Sequence, residues 1–197
     1  MALRWLFGFL LFGACGACED VQPANAAVSR ATLSDALEIC RAATDDPNSW
    51  SQGVEGFAQA KMLRGKKVIS AEEPIDEAKD PALYEGMKPT FWTIEGSQKL
   101  ITVVTLANVM CHVVVANGQD VSLAANELMN EYKSKSGWRF ASEKTVRNSP
   151  VSSSYFFYRD ATPTEDGSYL AVTAPPESAH GQPYQQFIAT YMKVPRN

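Results

Sequence analysis

Residues 99–116, KLITVVTLANVMCHVVVA, contain the two strongest strand signals of the chain. The first, Lys99–Ala107, is apolar on both faces of an extended chain, which is typical of a central strand. The second, Val109–Ala116, is a run rich in β-branched residues, bounded by Asn108 and by Asn117-Gly118. We therefore expect a β-sheet at the centre of the fold.

Weaker strand signals lie on both sides of this stretch. Aromatic and β-branched segments predict further strands at Lys67–Ser70, Phe91–Glu95, Trp138–Thr145, Ser153–Arg159, Ser168–Ala174 and Gln185–Val194. The apolar positions of residues 184–192 also fit a helix, but the residue types in this segment favour a strand. The acidic segment Ala71–Lys88 is interrupted by proline and glycine and predicts a solvated loop.

Two segments show the period of an amphipathic helix. In Thr32–Thr44, apolar side chains recur on one face, and Thr32 with Asp35 fits a capping box. In Asp120–Ser136, a second apolar stripe is preceded by Asp120 as a candidate cap and followed by Gly137. These helices and strands predict an α+β fold, an antiparallel sheet with both helices on one face. The order helix, strands, helix, strands also fits a duplicated unit.

The cysteines divide into two pairs. Cys40 lies on the apolar face of the first helix, and Cys111 lies in the second strong strand. We expect them to form a disulfide, which would attach the helix to the sheet in an oxidising compartment. A catalytic thiol is the less favoured alternative, because Arg41 is the one basic residue close in sequence to either cysteine.

The first 26 residues have the features of an export signal. A short basic start, Met1–Arg4, precedes the apolar run Trp5–Ala14, which is too short to span a membrane. Cleavage after Ala26 would release a soluble periplasmic protein, residues 27–197, with a single domain. Alternatively, Cys15 or Cys18 would be acylated as in a bacterial lipoprotein, and the lipid would be the only membrane attachment.

Charge and motif content argue against several function classes. With 18 basic and 22 acidic residues the net charge is −4, so nothing in the composition favours nucleic-acid binding. The part of the chain after the signal has no nucleophile elbow, phosphate-binding glycine loop, dinucleotide fingerprint or zinc-binding motif. We therefore expect no cofactor or metal, and a non-catalytic protein rather than an enzyme.

The two histidines are the candidate catalytic groups if the protein is instead a small periplasmic hydrolase. His112 follows Cys111 and so faces the other side of the sheet, where a structural role is favoured over a general base or metal ligand. His180 lies in a loop with Glu177 and Ser178, but residues this close in sequence rarely form a catalytic triad.

The densest aromatic run, residues 154–159, provides the candidate binding surface. Alternation along a strand places Tyr155, Phe157 and Arg159 on one face and Phe156 and Tyr158 on the other. One face must pack on the helices, and the other can present aromatic side chains to a partner. We assign the surface to Tyr155, Phe157 and Arg159, or to the face that carries His112.

These features together favour an exported, non-catalytic envelope protein. It would bind another envelope protein or a small ligand, as an inhibitor, an accessory factor or a sensing module. A small hydrolase using His112 or His180 and a membrane-anchored structural lipoprotein are the alternatives.

Overall fold

A computed structural model of the protein describes residues 28–45, 62–63, 66–84, 86–106, 109–146, 152–181 and 186–196. The predicted export signal, residues 1–26 with Cys15 and Cys18, lies outside these ranges. Among the described residues, no helix has both the length and the apolar character needed to cross a membrane.

The described chain contains two α-helices, nine strands and three short 3₁₀ turns. The helices are α1 (Arg30–Asp45) and α2 (Ser122–Ser134). The strands are β1 (Met62–Leu63), β2 (Lys66–Ser70), β3 (Pro89–Ile94), β4 (Ile101–Leu106), β5 (Met110–Val115), β6 (Arg139–Val146), β7 (Ser152–Arg159), β8 (Gly167–Ala174) and β9 (Phe187–Val194).

Strands β2 to β9 form one antiparallel sheet, and the two-residue strand β1 extends its edge at β2. The order across the sheet is β1-β2-β3-β4-β5-β9-β8-β7-β6. The last strand of the chain therefore lies near the middle of the sheet, where it pairs with β5 on one side and β8 on the other. Both strong strand signals, β4 and β5, are buried along their whole length, as expected for central strands.

Both helices pack on one face of the sheet, here called the helix-covered face. The core on this face combines the apolar sides of α1 and α2 with alternate residues of the strands, among them Trp92, Phe157 and Phe187. The predicted disulfide is confirmed: Cys40 of α1 is bonded to Cys111 of β5, with 5.3 Å between the Cα atoms. The bond joins α1 to the sheet inside this core.

The duplication suggested by the order of elements is not supported. Both helices and alternate residues from most of the strands belong to one hydrophobic core, so the fold does not divide into two helix-and-strand units. The structure is an antiparallel sheet with two helices and one disulfide, in which the sheet predominates.

The helix ends differ from the predicted ones. Helix α1 begins at Arg30, and the Ser29 hydroxyl accepts a hydrogen bond from the Thr32 backbone N–H at 3.1 Å. Ser29 is therefore the cap, and the predicted capping box is wrong because Thr32 and Asp35 are already buried helical residues. Helix α2 begins at Ser122, so its cap position is Val121 and not Asp120, whose carboxylate accepts a hydrogen bond from the Ser122 hydroxyl at 3.2 Å.

Candidate functional site

The second face of the sheet, here called the outer face, is covered by other described residues over only part of its width. Residues 71–84, here called the covering segment, contain the 3₁₀ turns Asp76–Lys79 and Pro81–Leu83. Ala78 of this segment is buried in a second apolar cluster with Val104 and Val114. The segment is therefore not the solvated loop that its acidic composition suggests, because its few apolar residues cover β4 and β5.

His112 attaches the covering segment to the sheet. Its ring is 6% exposed, with Nδ1 lying 2.9 Å from the Thr190 hydroxyl and Nε2 lying 2.9 Å from the Leu83 carbonyl oxygen. A carbonyl oxygen only accepts, so Nε2 carries the proton and donates it. Both ring nitrogens make hydrogen bonds within the protein, which join β5 to β9 and to the covering segment.

The residues assigned to the binding surface do not come together. Tyr155 and Phe157 lie on the helix-covered face and are 4% and 0% exposed. The ring of Phe157 packs against Tyr132 of α2, with 5.7 Å between the centroids. A partner cannot reach these two side chains, so that assignment is corrected: alternation separates the two faces of a strand, but it does not say which face the helices cover.

The part of the outer face on β7 and β8, away from the covering segment, carries the other aromatic side chains of this region. Phe156 and Tyr158 of β7 lie beside Tyr169 of β8, with ring centroids 6.3 Å and 4.9 Å from that of Tyr169. Strand pairing places Arg139 opposite Tyr158, and Lys144 opposite Ser154, on the same face. We call these five residues, Arg139, Lys144, Phe156, Tyr158 and Tyr169, the open face.

The two cations of the open face differ in their pairing. Arg139 forms an ion pair with Asp160, which lies just beyond the end of β7. Lys144 is exposed and forms no ion pair with any of the described residues. The open face therefore has three aromatic rings on β7 and β8 and, on β6, one cation, Lys144, that no described carboxylate pairs with.

His180 does not form the triad considered with Glu177 and Ser178. Its Nδ1 lies 2.7 Å from the carboxylate of Asp120, which also accepts the backbone N–H of Gly181 at 3.1 Å. Asp120 thus holds the 177–181 turn against the start of α2. Within the described residues, no hydroxyl group is hydrogen-bonded to the second ring nitrogen of His180.

Arg159 lies in a cleft of about 330 Å³ at the C-terminal end of α1. The cleft brings together charged side chains from four separate parts of the chain: Arg41, Asp45, Arg159, Glu165, Asp166, Lys193 and Arg196, with Thr164. The sequence gives no local signal for this site, because no two of its four cations are closer than three residues.

Two buried hydroxyls contact the inner side chains of the cleft, Asp45 and Arg159. The Tyr191 hydroxyl lies 3.0 and 3.1 Å from the two carboxylate oxygens of Asp45 and 2.8 Å from the Ser168 hydroxyl, which also accepts from Arg159 at 2.9 Å. Burial raises the pKa of Tyr191 above its usual range, so its hydroxyl stays protonated. These bonds fix the positions of Asp45 and Arg159.

The outer wall is arranged around Asp166. Its carboxylate accepts the backbone N–H of Arg196 and pairs with the side chains of Lys193 and Arg196. The backbone hydrogen bond, followed by the one from Lys193, lowers the pKa of Asp166 and keeps it ionised. Each wall thus places one carboxylate between two cations.

Among the described residues, no group of three histidine, cysteine or acidic side chains is close enough together to hold a metal ion. Comparison of the chain with models of protein families, with curated proteins and with solved structures found no match.

Proposed function

We propose that the protein is an exported, non-catalytic binding protein of the cell envelope, whose partner is another envelope protein that docks on the open face. The observation that carries this proposal is a group of three aromatic side chains on β7 and β8, in which Tyr158 is 40% exposed and Phe156 and Tyr169 are half-buried. The covering segment packs on the neighbouring part of the same sheet face, over β4 and β5, and does not join this group.

The composition of the open face favours a protein partner. Tyrosine, other aromatic residues and arginine are the side chains that contribute most to binding energy at protein interfaces. Phe156, Tyr158 and Tyr169 lie together on two paired strands, so a partner meets a preformed surface. A preformed surface loses little conformational entropy on binding.

The charge of the open face indicates the chemistry of the partner. Lys144 is exposed at its border, and the carboxylate that Arg139 pairs with is itself exposed. A partner that places apolar side chains on the rings and a carboxylate near Lys144 would be complementary to this surface. Such charges at the rim act mainly on specificity and on the rate of association.

The disulfide is compatible with export, because disulfides persist in oxidising compartments such as the periplasm. Within this proposal, the mass of the exported chain distinguishes the soluble form from a lipid-anchored one. A chain beginning at Ala27 is soluble, whereas an acylated Cys15 or Cys18 at the N-terminus is anchored.

Photo-crosslinking in intact cells tests the docking site. With p-benzoylphenylalanine at position 158, we expect a crosslinked adduct with one envelope protein, which mass spectrometry identifies. The matched control is the same photoreactive residue at Leu123, an exposed apolar position on α2. Adducts of equal yield at both positions, or no protein adduct at position 158, would contradict the proposal.

Charge reversal tests the nature of the partner. Lys144→Glu should reduce the adduct yield at position 158, because it places like charges opposite each other. Lys99→Glu makes the same change at an exposed turn outside the open face and should leave the yield unchanged. An unchanged yield with Lys144→Glu would show that the partner is not acidic there.

A further inference from the structure

We propose that the charged cleft at the end of α1 is a second binding site, which takes a small ligand through an oxyanion group, a phosphate or a carboxylate. The cleft lies on the helix-covered side of β7, β8 and β9, whereas the open face is on the other side of the same strands. The inference is therefore independent of the proposed protein partner.

The first observation is the number of cations that converge in the cleft. The four cations come from different parts of the chain: Arg41 from α1, Arg159 from β7, Lys193 from β9, and Arg196 from the residues just beyond β9. Bringing like charges together is unfavourable unless opposite charges compensate for it. Asp45 and Asp166 each lie between two of these cations and so provide part of that compensation.

The second observation is that these ion pairs are long. Asp45 is 3.6 Å from Arg41 and 3.5 Å from Arg159, while Asp166 is 3.2 Å from Lys193 and 3.4 Å from Arg196. Well-formed hydrogen bonds between charged groups measure about 2.7–2.9 Å. Arg41 also donates two hydrogen bonds to Glu38, and Arg196 donates one to the Pro163 carbonyl oxygen. The donor capacity that the two aspartates leave unused therefore lies on Arg159, Lys193 and part of Arg196.

The electric field at the C-terminal end of α1 explains the cations on only one wall of the cleft. The C-terminus of a helix carries a partial negative charge that favours nearby cations. Arg41 and Arg159 lie beside the end of α1, and this field favours their positions. Lys193 and Arg196 lie on the opposite wall, so we place the oxyanion there, between them and Arg159.

The chemistry of the donors indicates the ligand class. The planar fork of N–H groups on arginine matches the geometry of phosphate and carboxylate oxygens. The Thr164 hydroxyl adds a neutral donor at the entrance, and the volume of the cleft suits a small molecule. The side chain of Glu165 is exposed at the same entrance, where its charge opposes an anion.

The probes are inorganic phosphate and citrate, titrated at low salt into the purified protein and followed by NMR. We expect saturable shifts of the backbone amides of Thr164, Glu165, Lys193 and Arg196. Saturable binding of either probe supports the inference, and the tighter of the two identifies the preferred group. The inference is overturned if neither probe gives saturable shifts at these residues.

Three substitutions make the test specific. Lys193→Gln and Arg196→Gln should each weaken binding by about tenfold, because each removes a charged donor. Glu165→Gln should tighten binding, because it removes a carboxylate from the entrance and keeps the backbone hydrogen bonds of this residue. Weaker binding of the probes with Glu165→Gln would show that this carboxylate supports binding instead of opposing the anion, which contradicts the placement of an oxyanion in the cleft.

Arg139→Gln is the matched control. Like Arg196, Arg139 is an exposed arginine paired with one aspartate, but it belongs to the open face. We expect the affinity to be unchanged, with the thermal unfolding midpoint measured for every variant. If Arg139→Gln weakens binding as much as Arg196→Gln does, the probes respond only to net charge and the cleft is not a site.

Discussion

Strand β7 has two faces of similar composition that lie in different surroundings. Phe157 points into the core beneath α2, whereas Phe156, the preceding residue, lies on the open face beside Tyr169. Both residues are phenylalanines in one strand, so their intrinsic preference for β-structure and their hydrophobicity are the same. The difference comes from where α1, α2 and the covering segment pack. The comparison of Phe156 with Phe157 shows that the role of an aromatic residue in this sheet depends on what packs over it. A residue under a helix is part of the core, whereas a residue on the open face is available for binding.

The largest expected effect concerns the disulfide between Cys40 and Cys111, which attaches α1 to the helix-covered face of the sheet. The disulfide closes a loop of 71 residues, for which loop-closure entropy gives about 4 kcal/mol of stability. The double variant Cys40→Ala, Cys111→Ala should lose most of this amount in the free energy of urea unfolding. A loss below about 1 kcal/mol would show that packing alone holds α1 on the sheet.

The direct test of the comparison replaces each phenylalanine with alanine. Phe157→Ala should lower the free energy of unfolding by about 3 kcal/mol, because it opens a cavity in the core. Phe156→Ala should cost about 1 kcal/mol or less, since water already reaches the open face. Equal losses in urea unfolding would mean that the open face is covered in solution, for instance by a second copy of the chain.

A smaller effect appears at alkaline pH. Burial on the covered face raises the pKa of Tyr132 from its ordinary 10.0 to about 12. A group that holds its proton more tightly when folded stabilises the fold fully below its unfolded pKa, and this stability is lost as the pH rises through the folded value. We therefore expect the free energy of unfolding to fall by about 2–3 kcal/mol between pH 10 and pH 12.

Circular dichroism at increasing pH, combined with urea, measures this loss. Tyr132→Phe should reduce the loss and leave stability at pH 7 nearly unchanged, since the hydroxyl of Tyr132 makes no hydrogen bond with any described residue. If the variant loses stability as steeply as the original protein, another buried group, such as Tyr191, dominates the alkaline transition.

Individual helices and strands could be predicted because the pattern that indicates each of them lies within a short segment of sequence. The apolar runs of β4 and β5 indicate central strands, and the period of 30–45 places Cys40 on the buried side of α1. Two cysteines on elements that pack together form the predicted disulfide. The signal for each of these helices and strands lies within about twenty residues of sequence. The pairing of the cysteines follows instead from there being two of them after the export signal.

The candidate sites could not be predicted in the same way. The sequence around His112 does not show what its ring contacts. Only the placement of Leu83 and Thr190 shows that both ring nitrogens are hydrogen-bonded. The four cations of the cleft are separated by up to 155 positions along the chain and meet because β9 returns to the middle of the sheet. No pattern within a short segment of sequence predicts that these four side chains lie close together.

The sequence by itself determined which residues alternate, which segments are helical and which two cysteines can join. These properties depend on the backbone period and on the side chain at each position. The tertiary structure alone decided which face of β7 is covered, what His112 contacts and where the cations converge. These depend on packing between distant segments, where the burial of apolar area across the whole sheet outweighs the preference of any one strand.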